Sequence, residues 1–251
     1  MLPTPNTAHV DFDRVYEPAE DSFLLLDTLS AAGETAFLHD RFGAAASPLV
    51  AEVGPGSGVV LAFVAQNART IFGRSDVLTL GLDISAFACH ATDKTVRSAI
   101  KEAAAPHSIY LDALNADLSA PLRPGAVDVL IFNPPYVPAE MPDLAQHERY
   151  NQYASGTQKT TFEQDSYLLS LTYAGGVDGM ETTNRLLEEL PHILQAERGV
   201  AYILLCAQNK PREVEQRVKA WGPEWSAASV GSSGKQAGWE KLQILRIWRN
   251  P

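Results

Sequence analysis

The chain has 251 residues, a formal net charge of −10 and two cysteines. Its 45% apolar share is enough to bury a full core, and no apolar run approaches the roughly 18–20 residues that a membrane helix needs. The acidic balance disfavours nucleic acid as a partner, because a duplex is held largely by Lys and Arg on phosphates and no basic cluster is visible.

Met1 to Arg14 is polar, with Asp11 and Asp13, and lacks the basic start and apolar middle of a signal peptide. Leucine-rich Glu20–Ala31 reads as a first helix, and residues 33–48 as a connection before the first strand. Leu49–Val53 is a short apolar strand ending in a glycine turn, followed by a helix from Val59 to Arg69. Val77–Leu82 is a second strand ending at Asp83, and Ser85 caps a helix reaching about Ala103. Ser108–Leu111 is a third strand, and Val127–Phe132 is a fourth that runs straight into Asn133. Residues 139–172 are rich in Gln, Thr, Ser and Glu. A connection that long is usually a lid, a binding loop or a disordered insertion, and a substrate-facing flap is expected here. A helix starts near Thr183, and Gly199–Ala207 is the fifth and most apolar strand. Pro211–Trp221 is a helix with proline at its start, and residues 225–230 and 241–248 form a closing pair of strands.

The alternation predicts βαβ units and a doubly wound, mostly parallel α/β sheet of seven strands, within one domain spanning residues 1–251. Ligands in such sheets sit outside the C-terminal strand ends. Cys89 and Cys206 read as buried thiols in a reducing cytosol, with the nucleus as a second compartment. The six histidines make no metal-ligand spacing with them, so no bound metal is expected.

Glu52-Val53-Gly54-Pro55-Gly56-Ser57-Gly58 follows a strand and opens a helix. Glycines permit the tight turn and a close approach of ligand to backbone, while free N–H groups at a helix start attract negative atoms. The spacing is compressed relative to dinucleotide sites. The carboxylate of Glu52 disfavours a pyrophosphate and suits a ligand amine. Asp83, at the end of the second strand, can accept both ribose hydroxyl protons. Adenosine with an amino-acid tail and no phosphate satisfies all of these features. A bare structural turn and a helix-capping aspartate are the plain alternatives.

Asn133-Pro134-Pro135-Tyr136 ends the fourth strand. Two prolines remove two N–H donors and restrict the backbone, leaving a rigid platform of carbonyl oxygens. The Asn133 side-chain oxygen and a platform carbonyl can accept both hydrogens of a planar –NH2 group, and Tyr136 can stack on it. The held nitrogen can then attack a sulfonium methyl in line, with positioning and fixed dipoles supplying most of the rate. Alone, the segment could equally be a proline turn.

Together these residues resemble the HemK-type family of protein glutamine N5-methyltransferases, in particular its eukaryotic branch, which methylates the translation termination factor. Carrying the resemblance are Tyr16-Glu17-Pro18-Ala19-Glu20-Asp21-Ser22, the glycine turn, Asp83-Ile84, Ala116-Asp117-Leu118, Asn133-Pro134-Pro135-Tyr136 and Ala174-Gly175-Gly176-Val177-Asp178-Gly179. The fifth strand and Ala237-Gly238-Trp239-Glu240 also fit, so the likeness covers nearly the whole chain. Bacterial members carry a helical N-terminal domain, for which residues 1–48 are too short.

The resemblance implies a class I methyltransferase fold with an antiparallel closing strand and S-adenosyl-L-methionine as cofactor. Ser22 would lie over that cofactor, with the N-terminal extension packed above it. Glu52 and Gly54, with Gly56, would line its methionine end, Asp83 would hold the ribose, and Asp117 and Leu118 would flank the adenine. Asn133 would touch both cofactor and substrate amide, with Pro134, Pro135 and Tyr136 completing the substrate side. The implied substrate is the glutamine of a Gly-Gly-Gln motif in a class I release factor. The implied partner is a small zinc-binding activator that pairs along the third strand near Ser108–Leu111 and keeps its zinc to itself. The 139–172 segment exceeds that of shorter members, and Ala174–Gly179 reads as a substrate-side turn.

Two other readings compete. A nucleic-acid adenine-N6 methyltransferase presents the same planar –NH2 geometry, and a basic rim around the pocket would mark it. A non-catalytic cofactor-binding subunit that scaffolds a partner would have no need of an intact Asn133 and Asp83.

Overall fold

The computed structural model describes residues 2–44, 46–103, 107–153, 160–233 and 241–250. The Ala237–Glu240 segment therefore lies outside the described residues. The helices are α1 (Glu20–Ser30), α2 (Ala32–Phe42), α3 (Val59–Gln66), α4 (Ala68–Phe72), α5 (Ala86–Glu102), α6 (His147–Tyr150), α7 (Phe162–Tyr173), α8 (Glu181–Ile193) and α9 (Pro211–Lys219). The strands are β1 (Leu49–Val53), β2 (Leu78–Asp83), β3 (Ile109–Asn115), β4 (Val129–Phe132), β5 (Val200–Cys206), β6 (Trp225–Ser232) and β7 (Leu242–Arg249). They form one sheet in the order β3-β2-β1-β4-β5-β7-β6. The first five run parallel, and β7 is antiparallel to both β5 and β6. The doubly wound sheet with an antiparallel closing strand is as expected.

Period-two alternation along the strands feeds two apolar layers. Val50, Val129, Ile131 and Tyr202 face α1–α4, whereas Ala51, Leu130, Phe132 and Ile203 face α8 and α9. Ser85 accepts a hydrogen bond from the Ala88 N–H and so caps α5, as its sequence position predicts. Both cysteines are buried, and neither forms a disulfide among the described residues. Among the described residues no helix is long and apolar enough to cross a membrane.

Three expectations need correction. Residues 33–48 are not a plain connection: most of them form α2, whose buried positions are Glu34, Leu38 and Phe42. The helical period is disguised because its first buried member is charged. That carboxylate accepts from Tyr202 Oη at 2.8 Å and pairs with Arg246 Nη1 at 2.8 Å, which offsets its burial. The helix expected over Val59–Arg69 breaks at Asn67, whose side chain donates to the Phe63 carbonyl and ends the first segment. The third strand runs to Asn115 rather than Leu111. It lies at the edge of the sheet and is largely exposed, so its polar residues broke the apolar run that marks a strand.

Candidate active site

In the order β2-β1-β4, the chain winds outward in opposite directions from β1 and β4, which makes their junction the switch point of the sheet. Register sets Val53 beside both Leu82 and Phe132, so the segments that leave β1, β2 and β4 emerge side by side. The glycine turn, Asp83 and the Asn133–Tyr136 platform thereby share one rim.

The turn after β1 demands glycine. Gly54, Gly56 and Gly58 all have positive φ, and a Cβ on Gly58 would stand 2.7 Å from Thr92 Cα of α5. The Gly54 N–H donates to the Leu82 carbonyl at 2.7 Å, and the Gly56 N–H to Asp83 Oδ2 at 3.1 Å. Asp83 Oδ1 accepts from the Ser85 N–H at 2.8 Å. Asp83 thus orders two loops, and each oxygen keeps lone-pair capacity for a ligand hydroxyl. Ser85 is the helix cap, which leaves Asp83 free of that alternative role. Burial pushes the Asp83 carboxyl up to about 6, against the two backbone bonds that lower it.

Glu52 lies beneath the turn, buried, with Oε2 lacking any hydrogen-bond partner. Burial raises its carboxyl to about 8, helped in a lesser degree by the Asp83 charge. A buried acceptor without a donor is costly unless a ligand completes it. Asn133 Oδ1, at the end of β4, is a second buried oxygen in the same condition. An ammonium group and a planar –NH2 group are the ligand chemistries that would satisfy these two oxygens.

The residues to which the resemblance gives a cofactor or substrate role line one cleft: Ser22, Glu52, Gly54, Gly56, Asp83, Asp117, Leu118, Asn133, Pro134, Pro135 and Tyr136, whereas of the expected substrate-side turn only Ala174 lines it. Asp117 and Leu118 follow β3, and Leu118 adopts a positive φ that turns the chain into the cleft. The Asp117 carboxylate is not free, because Arg185 of α8 reaches it at 2.5 Å. The platform carbonyls differ in availability. The Tyr136 carbonyl accepts from Asn209 Nδ2 at 3.2 Å, and Val137 O accepts from the Gly175 N–H at 2.8 Å. Gly175 packs so tightly on the Pro135 carbonyl that a Cβ there would sit 2.4 Å away.

The cleft has a roof. Arg14 pairs with Asp165 of α7 at 3.4 Å and stacks over Phe87 of α5. Among its described residues the expected flap carries a 3-10 turn (Leu144–Gln146), then α6 and α7, with residues 154–159 outside the described residues. His147 Nε2 donates to the Ile84 carbonyl at 3.0 Å, and Asn151 both donates to that carbonyl and accepts from the Ala86 N–H. The flap is therefore fastened to the loop that follows Asp83.

Asp21 is a site residue that pattern reasoning passed over. Buried in the cleft wall, it accepts from Tyr16 Oη at 2.9 Å and from Tyr136 Oη at 3.4 Å. It joins the N-terminal segment to the platform. Its only sequence signal is its place within the Tyr16–Ser22 run; as plain sequence it is one acid in a helix start.

No protein-family model matches the chain. The eRF1 methyltransferase catalytic subunit mtq2 of Schizosaccharomyces pombe is 31% identical, over 99% of this chain and 96% of that protein. Methyltransferase HEMK2 of Mus musculus is 33% identical, over 98% and 96%. A Methanocaldococcus jannaschii chain assigned as a protein N5-glutamine methyltransferase is 28% identical, over 94% and 92%. Among solved structures, the CurJ carbon methyltransferase superposes with a TM-score of 0.50 at 10% identity, over 95% of this chain and 57% of that one, a likeness of fold alone. With identity of this order over almost the full length, the chain belongs to the eukaryotic HemK-type family of S-adenosylmethionine-dependent methyltransferases.

Proposed function

We propose that the chain methylates the side-chain nitrogen of the glutamine in a Gly-Gly-Gln motif of a class I translation termination factor. The observation that carries this reading is Asn133 Oδ1, a buried acceptor with no donor of its own, at the edge of a platform that proline has stripped of N–H groups. The names of the relatives agree with it: one acts on eRF1, and another is assigned to glutamine N5.

The residues of the cleft fit the cofactor by their donor set. Glu52 would meet the ammonium of its methionine end, the glycine turn would admit its backbone-close tail, Asp83 would take the ribose hydroxyls, and Leu118 beside Asp117 would flank the adenine. Ser22 would close over it. Bound there, S-adenosylmethionine supplies an electrophilic methyl on a sulfonium. Asn133 Oδ1 would accept one hydrogen of the substrate amide. For the second acceptor, the Tyr136 and Val137 carbonyls already take hydrogen bonds, and Gly175 packs closely against that of Pro135. We assign this second acceptor to Pro134. Holding both hydrogens fixes the nitrogen and raises its electron density. The N–C bond would form as the sulfonium's S–CH3 bond breaks, its electron pair staying on sulfur, and the nitrogen would then lose one proton to solvent, so no strong base is needed beforehand.

A nucleic-acid acceptor finds less support. The arginines that line the cleft, Arg14 and Arg185, are both held by carboxylates. For a partner, we propose a small zinc-binding activator seated on β3. That strand ends the sheet, and Ile109, Leu111 and Leu114 on it are 54%, 46% and 37% exposed, apolar groups on an edge that offers unpaired backbone. The S. pombe relative is itself named a catalytic subunit. We propose the cytoplasm as its compartment, with the nucleus as a second, and two reduced, buried thiols are compatible with either.

The test counts labelled methyl groups transferred to a class I release factor, to the same factor with the Gly-Gly-Gln glutamine replaced by alanine, and to single- and double-stranded DNA. Label on the intact factor alone supports the proposal, and label on nucleic acid overturns it.

A further inference from the structure

Asn209 lies far from every motif in the sequence, just after β5, on a single 3-10 turn (Ala207–Asn209). Its side chain is buried at 2% exposure. Oδ1 accepts from the Cys206 N–H at 2.7 Å, which fixes the amide's orientation. Nδ2 then faces three carbonyls: Asp178 at 2.9 Å, Tyr136 at 3.2 Å and Gly179 at 3.3 Å. One amide thus ties the end of β5 to the platform and to the Gly175–Gly179 turn.

That turn needs a fastening. Gly176, Asp178 and Gly179 have φ of 71°, 55° and 67°. Asp178 is not glycine, and a side chain in the left-handed region persists only where neighbours over-determine the backbone. Three side chains contribute here: Glu181, whose carboxylate accepts from the Val177 N–H at 2.9 Å, Lys210, which pairs with the exposed Asp178 carboxylate at 3.0 Å, and Asn209, which bonds the backbone of the turn from the buried side. The turn also presses on the platform with no slack. A Cβ on Gly179 would stand 1.9 Å from the Tyr136 carbonyl oxygen. The position of the platform relative to the rest of the sheet is therefore set at this seam, two and three residues along the chain from Pro134 and Asn133.

We infer that Asn209 is a positioning residue for methyl transfer, holding the Asn133–Tyr136 platform at its working height by gripping the Tyr136 carbonyl and the turn beneath it. The inference rests on the reading that the platform receives the acceptor amide. It makes a separable claim, because Asn209 has no hydrogen bond to the glycine turn, Glu52 or Asp83. Loss of the grip should misplace the acceptor oxygens and leave the cofactor's own contacts in place.

Asn209→Asp tests this with almost no change in shape. The carboxylate can still accept from the Cys206 N–H but has no hydrogens to offer the three carbonyls. A displacement near 1 Å at a reacting centre costs on the order of 100-fold, so kcat should fall by roughly 10–100-fold with the release-factor acceptor. The dissociation constant of S-adenosylhomocysteine, by calorimetry, should stay within about threefold. Asn209→Ala removes the same grip without placing a buried charge beside the three carbonyls, so it serves if Asn209→Asp fails to fold, and it should show the same split. Wild-type kcat in either folded variant overturns the inference. So does a loss of cofactor affinity that tracks the loss of kcat in both, since that would make the seam a general scaffold. Asn133→Ala run alongside separates the two claims. If it keeps wild-type turnover, the platform reading itself fails; if it is inactive while Asn209→Asp is unaffected, only the role of Asn209 falls.

Discussion

The floor and the roof of the cleft are built by different means. The floor is the row of strand ends, where the register of β2, β1 and β4 sets Asp83, the glycine turn and Asn133 side by side. Asp83 is held by the N–H groups of Gly56 and Ser85, and Asn133 directly follows the last residue of β4. The roof is residues 14–22 and the described residues of the 139–173 segment, tied to the loop after Asp83 by the side chains of His147 and Asn151 and to the platform by backbone bonds such as Val137 N–H to the Tyr173 carbonyl. A floor fixed by a sheet can preorganise charge and acceptors. A roof fastened at a few points can open for a cofactor and a protein loop without disturbing them.

Substitutions on the floor should therefore cost more than those on the roof. Asn133→Ala removes the acceptor we propose for the reacting nitrogen, and kcat should fall on the order of 100–1,000-fold. Cofactor affinity, followed by calorimetry, should barely change; retained turnover would break the assignment. Asp83→Ala removes the proposed ribose acceptor and the partner of the Gly56 N–H, so cofactor binding should weaken roughly 10–100-fold. An unchanged dissociation constant would show that the ribose lies elsewhere.

The next effect in size is one of pH. Glu52 is raised from 4.5 to about 8 by burial, so in the empty fold it holds a proton that the unfolded chain has lost over that window. The folded state then binds more protons, and stability without ligand should fall as pH rises from about 4.5 to 8. Asp83 adds the same sign between 3.8 and about 6. A cofactor ammonium reverses the preference and expels the proton. Affinity should rise with pH, approaching tenfold per unit for one proton, and level off above about 8. Calorimetry in buffers of different ionisation enthalpy reads the released proton directly, and a binding enthalpy independent of buffer would contradict the account. On the roof, Asp21→Ala removes the carboxylate that accepts from the hydroxyls of Tyr16 and Tyr136. A few-fold loss of kcat is expected, since the platform keeps its proline backbone. A loss as large as that of Asn133→Ala would move Asp21 to the floor.

The same division explains what the sequence reveals. The floor was legible because its chemistry is contiguous: a strand, a turn and a helix start within Glu52–Gly58, and a strand ending in Asn133-Pro134-Pro135-Tyr136. The roof and its fastenings join residues far apart in the chain. Asn151 meets Ile84 across 67 positions, Asn209 meets Tyr136 across 73, and Tyr202 meets Glu34 across 168. No local period carries such pairings. They hid α2 behind a buried glutamate, and they left Asp21 and Asn209 as ordinary polar residues. The long β3 was missed for the opposite reason, since an exposed edge strand has no apolar run to show.

The central claim is that Asn133 presents a glutamine amide for methylation, and fragment-ion mass spectrometry tests it most directly. A class I release factor is incubated with S-adenosylmethionine and the chain, with and without a zinc-binding activator, and the Gly-Gly-Gln peptide is sequenced. The account predicts a single methyl on the side-chain nitrogen of that glutamine, absent with Asn133→Ala. A methyl on another residue, or the same methyl with Asn133→Ala, would contradict it.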